Sequence, residues 1–134
     1  MTILIDANIF CAYYNKREVH HTQARRILEE AFAGKHGNVI TTDYVFDETV
    51  NVVLRKLDKK SAAELGLFIL NSEIRIGAVG TLVFTPAWDL FVKNNRLSFT
   101  DCTSIVFMNL LKINKIATFD KAFKTIKQIE VIDS

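Results

Sequence analysis

Short apolar runs alternate with longer segments of helical periodicity along this chain, and this alternation restricts the folds that it can adopt. Ile3–Ile5 and Val39–Thr42 are runs rich in β-branched residues that predict buried strands. The first of these strands is expected to end in a loop at Asp6–Asn8. Thr22–Ala33 and Asp43–Leu57 carry apolar residues at the spacing of one helix face, which predicts amphipathic helices. Strands that alternate with helices predict an α/β domain with a mainly parallel sheet, covered by helices on both faces.

The middle of the chain combines two helix signals with a glycine-broken stretch. Ser61–Asn71 opens with the spacing of a capping box and predicts a helix. Within the glycine-broken stretch that follows, we expect a strand near Leu82–Phe84. Thr85–Asn94 opens with Thr-Pro, the form of an N-cap followed by a first-turn proline, and predicts another helix.

The last third of the chain continues the alternation. Ser98–Asp101 has the form of a second capping box and precedes a strongly apolar helix, Cys102–Lys112. Lys115–Asp120 predicts a strand that ends in an acid, and a short helix is expected from Lys121. Ile129–Ile132 predicts the last strand.

Length and composition limit the class of protein. The 134 residues suit one domain over residues 1–134, and 49% hydrophobic residues allow a substantial core. Cys11 and Cys102 lie far apart and form no CxxC or Cys/His pattern, so we expect reduced thiols in a cytoplasm rather than a zinc site. The apolar stretch Ile105–Leu111 is much shorter than the roughly 20 residues of a membrane span, so we expect a soluble protein without a membrane partner.

The net charge of +2 is too small to indicate a nucleic-acid partner by itself. Basic residues form local groups at Arg25-Arg26, Lys59-Lys60 and Lys121, Lys124 and Lys127. Charge alone favours solvated helix faces over a phosphate-binding role for these groups.

Four acids occupy positions that an α/β fold would bring near its ligand site: Asp6, Glu48, Asp101 and Asp120. Asp6 and Asp120 follow predicted strands, and ligands bind beyond the carboxyl ends of parallel strands. Asp101 lies in the first turn of a predicted helix, and Glu48 lies at the border of an apolar helix stripe. Each acid also has an ordinary structural role, as a helix cap, a turn residue or a solvated helix residue.

Taken together, the acids suggest a metal site. Two like charges about 4 Å apart repel by about 4 kcal/mol at an effective dielectric constant of about 20. A cluster of carboxylates therefore needs a divalent cation or raised pKa values. Because no histidine or cysteine cluster accompanies them, oxygen ligation favours Mg²⁺, with Mn²⁺ as the alternative. Such a site suits hydrolysis of a phosphodiester bond.

Four short motifs, in this order and spacing, make the chain resemble PIN-domain proteins, and specifically VapC-type toxin ribonucleases. The motifs are Ile3–Asn8, Thr42 with Tyr44–Glu48, Leu97–Cys102 and Ala117–Asp120. The resemblance covers nearly the whole chain. It implies a three-layer α/β/α sandwich with a mainly parallel sheet of about five strands.

The resemblance also assigns roles to the four acids. It implies that Asp6, Glu48, Asp101 and Asp120 form the catalytic, metal-binding group. By the family pattern, Asp6 and Asp101 bind the metal ion directly. Glu48 holds a metal-bound water and acts as base, and Asp120 completes the site.

The same resemblance implies orienting residues and partners. Asn8 and Thr100 match positions that orient the acids or the phosphate. RNA is the implied substrate. The family commonly forms homodimers, and its toxin members pair with an antitoxin protein that blocks the active site.

The hypothesis favoured by the sequence is a Mg²⁺-dependent endoribonuclease, as the toxin of a VapBC-type pair. A nuclease of cellular RNA processing and a non-catalytic RNA-binding or regulatory module are the alternatives. A phosphatase or phosphoacceptor domain is disfavoured, because Asn8 stands where the phosphatase chemistry needs a second Asp.

Aromatic and histidine residues near these motifs are expected to have structural roles. We expect His20-His21 at the surface or as a helix cap, rather than in catalysis or metal binding. Phe10, Tyr13 and Tyr14 are expected to pack under the first helix rather than to stack on bases. Trp88, Leu90 and Phe91 are expected on the buried or dimer-facing side of their helix.

Overall fold

A sheet of five parallel strands forms the middle layer of the protein, whose computed structural model describes residues 1–134. The strands are β1 (Thr2–Ile5), β2 (Asn38–Thr42), β3 (Arg75–Gly77), β4 (Lys115–Ala117) and β5 (Glu130–Ile132). They lie in the order β3-β2-β1-β4-β5, and every neighbouring pair is parallel. The predicted parallel sheet of about five strands is confirmed.

Helices connect the strands and cover both faces of the sheet, so the predicted three-layer α/β/α sandwich is also confirmed. They are α1 (Ala7–Tyr14), α2 (His21–Phe32), α3 (Asp43–Lys56), α4 (Lys59–Asn71), α5 (Gly80–Lys93), α6 (Phe99–Leu111) and a 3₁₀ helix (Lys121–Thr125). None of these helices combines the length and the apolar character that crossing a lipid bilayer requires.

The central strand β1 sends its side chains alternately into two apolar cores. Ile3 and Ile5 belong to a core shared with α1, α2, α3 and α4, whereas Leu4 belongs to a core shared with α5 and α6. All three side chains are fully buried. Because successive side chains of a strand point to opposite faces, the two cores lie on either side of the sheet.

The chain leaves β1 by entering a helix directly, so the loop expected at Asp6–Asn8 is wrong. Asp6 is the N-cap of α1, and its Oδ1 accepts the Ala7 N–H at 2.8 Å. Its own N–H donates to the Ala117 carbonyl oxygen of β4 at 3.0 Å. The pattern did not predict α1 because five of its eight residues are buried, which leaves little polar face to mark a helical period.

The strand expected at Leu82–Phe84 is wrong, because these residues lie inside α5. Val83 and Ala87 are both buried, and their spacing of four residues marks one face of a helix. Pro86 lies inside α5 rather than at its first position, so the helix begins at Gly80. The strand of this region is β3, which comes earlier in the chain.

The two predicted capping boxes have different outcomes. The box expected at Ser61 is wrong, because α4 begins at Lys59 and Asp58 Oδ1 accepts the Ser61 N–H at 2.7 Å. The box at the start of α6 is confirmed, since Ser98 and Asp101 each accept a hydrogen bond from the other's backbone N–H. The hydrogen bonds of the capping box therefore fix Asp101 without the help of a ligand.

Substitution of Gly77 tests the packing of β3. A Cβ at this position would lie 2.4 Å from Cζ and 2.9 Å from Cε1 of Phe107, whose side chain is buried. Gly77→Ala is therefore expected to lower the free energy of unfolding by about 1–3 kcal/mol, measured by chemical denaturation.

The matched control for this substitution is Gly66→Ala in α4. A Cβ there would lie no closer than 3.4 Å to Val50, and alanine favours a helix over glycine by about 1 kcal/mol. The control should be neutral or stabilising, and equal losses in the two variants would contradict this account of Gly77.

Candidate functional site

Elements that meet at one edge of the sheet carry the four predicted acids. Asp6 follows β1, Asp120 follows β4, and Glu48 lies on α3, which begins directly after β2. Asp101 lies in the first turn of α6. Because β1, β2 and β4 are parallel neighbours, their carboxyl ends share the edge where ligands bind in such sheets.

Asp6 is the most deeply buried of the four acids, with 3% of its surface exposed. Its Oδ2 accepts the hydroxyl of Thr118 at 2.7 Å, and its Oδ1 accepts the Ala7 N–H. Burial, followed by the charge of Asp101, raises the pKa of Asp6 to about 7, although the hydrogen bonds from Thr118 and Ala7 lower it. A positive charge beside Asp6 would favour its ionised form.

Asp101 is buried next to Asp120 and is fixed by Ser98. Its Oδ2 accepts the Ser98 N–H at 3.0 Å, and its own N–H donates to Ser98 Oγ at 3.1 Å. Burial raises the pKa of Asp101, the hydrogen bonds of Ser98 lower it, and the charge of Asp120 raises it again. Asp101 therefore both caps α6 and lies beside another acid of the group.

Glu48 is half-buried on α3, whereas its neighbour Asp47 is exposed. Burial, and then the charge of Asp101, raises the pKa of Glu48. Hydrogen bonding to the Thr100 side chain and the charge of Arg55 lower it. The turn of α3 thus directs Glu48, and not Asp47, toward the other acids.

Asp120 caps the 3₁₀ helix that follows β4. Its Oδ1 accepts the Ala122 N–H at 2.9 Å. The predicted strand Lys115–Asp120 was too long, because β4 ends at Ala117. Asp120 joins the acidic group through Asp101, whose pKa its charge raises.

The four acids are coupled by charge but do not form a finished ligand cage. Asp101 raises the pKa of both Asp6 and Glu48, and Asp120 raises that of Asp101. None of the five ion pairs in the structure includes any of the four. No group of three or more His, Cys, Asp or Glu side chains is arranged to hold a metal ion.

The donor chemistry nevertheless fits a hard divalent cation. Burial and mutual repulsion disfavour the ionised forms of Asp6, Glu48 and Asp101, and no basic side chain pairs with them. A bound cation would offset that charge. Mg²⁺ typically binds one or two carboxylates and several waters, so it does not require a closed cage of protein ligands.

Thr118 connects three members of this site, and sequence analysis did not single it out. It is fully buried. Its Oγ1 donates to Asp6 Oδ2 at 2.7 Å and accepts the Asn8 Nδ2 and the Asp120 N–H, each at 3.1 Å. The hydroxyl therefore uses its one donor and both of its acceptor positions.

Asn8 extends the same network to the backbone. Its Oδ1 accepts the Phe119 N–H at 3.0 Å, while its Nδ2 reaches Thr118. The signal that could have found Thr118 is strand register, because Ile5 is paired with Ala117 and each is followed by a residue of the site. A single sequence does not give that register.

The fold and the acidic group at the strand ends define a class of protein. The chain matches the PIN domain family over residues 3–129 and belongs to that family. Within it, the chain is similar to a VapC ribonuclease of Archaeoglobus fulgidus. The two are 30% identical over 128 residues, which cover 92% of this chain and 80% of the relative.

A second relative is the 23S rRNA-specific endonuclease VapC20 of Mycobacterium tuberculosis, 26% identical over 131 residues that cover 96% of this chain and 97% of the relative. The crystal structure of VapC20, described as a Sarcin-Ricin loop cleaving toxin, has a TM-score of 0.82 and 25% identity, over 92% of this chain and 93% of that one. VapBC2 from Rickettsia felis, bound to a DNA fragment from its promoter, shares the fold with a TM-score of 0.72 and 17% identity, over 98% of this chain and 97% of that one.

Thr118→Val tests the hydrogen-bond network. It replaces a hydroxyl by a methyl group and removes the hydrogen-bond partner of the buried Asp6 carboxyl and of the half-buried Asp120 N–H. We expect the free energy of unfolding to fall by about 1–3 kcal/mol. We also expect the pKa of Asp6 to rise further, measured by carboxyl NMR titration, because a hydrogen bond that lowers it is lost. Thr118→Ser, which keeps the hydroxyl, is the control, and an unchanged pKa in Thr118→Val would refute the role of Thr118.

The buried carboxyl of Asp6 should make stability depend on pH. Its pKa is about 7 in the folded state against an ordinary value of 3.8, so the folded state binds more protons between these values. The stabilising contribution is present in full below 3.8 and is lost as pH rises through about 7. Since one pKa unit corresponds to about 1.36 kcal/mol, the loss amounts to about 4 kcal/mol.

Denaturation in metal-free buffer across this pH range measures the effect. The wild-type chain should lose stability relative to Asp6→Asn, which has no carboxyl at this position to titrate. Parallel stability curves for the two proteins are the outcome that this assignment excludes.

Proposed function

We propose that this protein is a Mg²⁺-dependent endoribonuclease that hydrolyses RNA phosphodiester bonds. The observation that carries the proposal is the group of charge-coupled carboxylates without a basic partner. Membership of the PIN family and similarity to proteins named ribonuclease and endonuclease support it.

Asp6 and Asp101 would hold the metal ion directly, with Glu48 and Asp120 completing the site. The bound cation, Mg²⁺ or Mn²⁺, would supply a Lewis acid for the phosphate and for water, and would offset the charge of the carboxylates. The hydrogen bonds of Thr118 and Ser98 keep Asp6 and Asp101 in position for this task.

Glu48 is the proposed general base. It is half-buried and its pKa is raised, so its ionised carboxylate is a better proton acceptor than an exposed one. It takes a proton from the attacking water as the water oxygen bonds to phosphorus. The bond to the 3′-oxygen breaks, that oxygen takes up a proton, and the products carry a 5′-phosphate and a 3′-hydroxyl. Asn8 and Thr100 are proposed to orient the acids or the phosphate during this step.

An antitoxin protein is the proposed partner, and toxicity is the proposed biological role. Solved structures with this fold include VapBC2 from Rickettsia felis and VapBC from Salmonella typhimurium, each bound to DNA. An apolar groove of about 490 Å³ between α3 and α4 suits an amphipathic helix of such a partner. The alternative role, in cellular RNA processing, predicts that expression without a partner leaves growth unchanged.

A homodimer in the cytoplasm is proposed as the state of the protein. Leu82, Phe84, Trp88 and Val92 of α5 are exposed apolar side chains that a second copy would cover. Trp88 is half-exposed, which favours the dimer-facing alternative for this side chain over the buried one. Cys11 and Cys102 are free thiols, in agreement with a reducing compartment.

Neighbouring carboxylates on α3 provide a matched test of the activity. Glu48→Gln should lower kcat on RNA by on the order of 100-fold or more, because the proposed base is lost. Asp47→Asn, which removes an exposed acid of the same helix, should keep wild-type activity. Gel-resolved cleavage of total RNA, with Mg²⁺ and with EDTA, measures both variants. Cleavage that resists EDTA, or a fully active Glu48→Gln, is incompatible with the proposal.

A further inference from the structure

A cavity adjoins the carboxylates on the side of α1 and α3. It measures about 200 Å³, and Asn8 and Glu48, which belong to the site described above, form part of its wall. Ala7, Cys11, Ala12 and Val52 supply apolar surface. Glu48 therefore belongs both to the acidic group and to the wall of this cavity.

An aromatic pair forms another part of the wall. The rings of His20 and Phe119 are stacked, with centroids 4.5 Å apart and planes inclined by 24°. His20 is exposed, whereas Phe119 is half-buried and directly precedes Asp120. Both rings line the cavity, and Phe119 places the pair next to Asp120 of the acidic group.

His20 was expected to be a surface or capping residue, and its position explains the pairing. It stands at the N-cap position of α2 but makes no side-chain cap hydrogen bond. His21, in contrast, is tied through Nδ1 to the Ala12 carbonyl oxygen at 2.8 Å. The imidazole of His20 is therefore left to stack on Phe119.

Charged groups also line the cavity. Lys56 Nζ lies 3.2 Å from Glu18 Oε1, and both side chains line the cavity. The lysine offers a donor for a phosphate or a base oxygen, and the glutamate offers an acceptor for a base N–H. Apolar walls with few polar groups are typical of ligand sites, but the volume is below the 300–1,000 Å³ or so of a drug-sized ligand, so one planar ring system is the size that fits.

We propose that this cavity binds one unstacked nucleobase of single-stranded RNA, from a nucleotide that flanks the bond to be cut. Bases of single strands are commonly recognised by stacking on aromatic side chains together with hydrogen bonds to their edges. The His20–Phe119 pair supplies the stacking surface, and Lys56 and Glu18 supply the polar contacts. The assignment of the base to a nucleotide beside the cut rests on the proposed nuclease function, whereas base binding itself does not.

Direct binding is tested by NMR on the wild-type chain with nucleoside 5′-monophosphates, which contain no bond for a nuclease to cut. Titration with at least one of the four should shift the methyl signals of Ala12 and Val52, which line the cavity. Ribose 5-phosphate, which lacks a base, should leave these signals in place. Equal shifts with ribose 5-phosphate would mean that the cavity binds phosphate and would overturn the proposal, as would no shift with any nucleotide.

Cleavage kinetics test the same cavity during the reaction. An abasic nucleotide at one position beside the cut should lower kcat/KM of the wild-type chain by on the order of 5- to 150-fold. The loss of kcat/KM caused by the abasic nucleotide should be much smaller in Val52→Phe, which fills the cavity. It should also be much smaller in His20→Ala, which removes an exposed ring without disturbing the core. Val19→Ala is the matched control, because Val19 is exposed next to His20 and does not line the cavity.

The two hypotheses fail in different ways. RNA cleavage by the wild-type chain with the same abasic penalty in all variants would overturn the base site and leave the nuclease proposal standing. Methyl shifts with nucleotides, but no cleavage of any RNA, would refute the nuclease and leave the base site standing.

Discussion

Burial of like charges at the carboxyl edge of the sheet is the interaction on which the rest of this structure depends. Asp6 has almost no contact with solvent, and the charge of Asp101 adds to the effect of burial on its pKa. Hydrogen bonds from Thr118 and Ala7 offset part of this repulsion but do not remove it. A protein that keeps such an arrangement without a basic partner gains from a bound cation, which links stability at neutral pH to the chemistry proposed for the site.

The fold produces this arrangement through the central position of β1. Both neighbours of β1 are parallel to it, so the residues that follow β1 and β4 meet at the same edge. Helices α3 and α6 then bring Glu48 and Asp101 over that edge from the two sides of the sheet, because their apolar faces pack in different cores. Local caps hold the backbone at these points, as Ser98 does for Asp101 and as Asp120 does for the 3₁₀ helix.

The parts of the fold that could be predicted from the sequence are those with a clear hydrophobic period or a helix-capping motif. The strand Ile3–Ile5, the long helix α3 and the Ser98–Asp101 box follow from such signals. α1 and the start of α5 could not be predicted, since nearly uniform apolar composition and an internal Pro86 obscure the helical period. The acids could be proposed from their places beside strands and from family motifs. Thr118 and the His20–Phe119 pair could not, because they depend on strand register and on contacts between distant segments.

The central claim is that these carboxylates together make a site for a divalent cation. Anomalous diffraction from crystals soaked in Mn²⁺ tests it most directly, because manganese is located independently of any assay. The account predicts an anomalous peak between Asp6 and Asp101, with density for both carboxylates as ligands. Crystals of an RNA-cleaving preparation that show manganese only elsewhere on the molecule, or none at this edge, would contradict it.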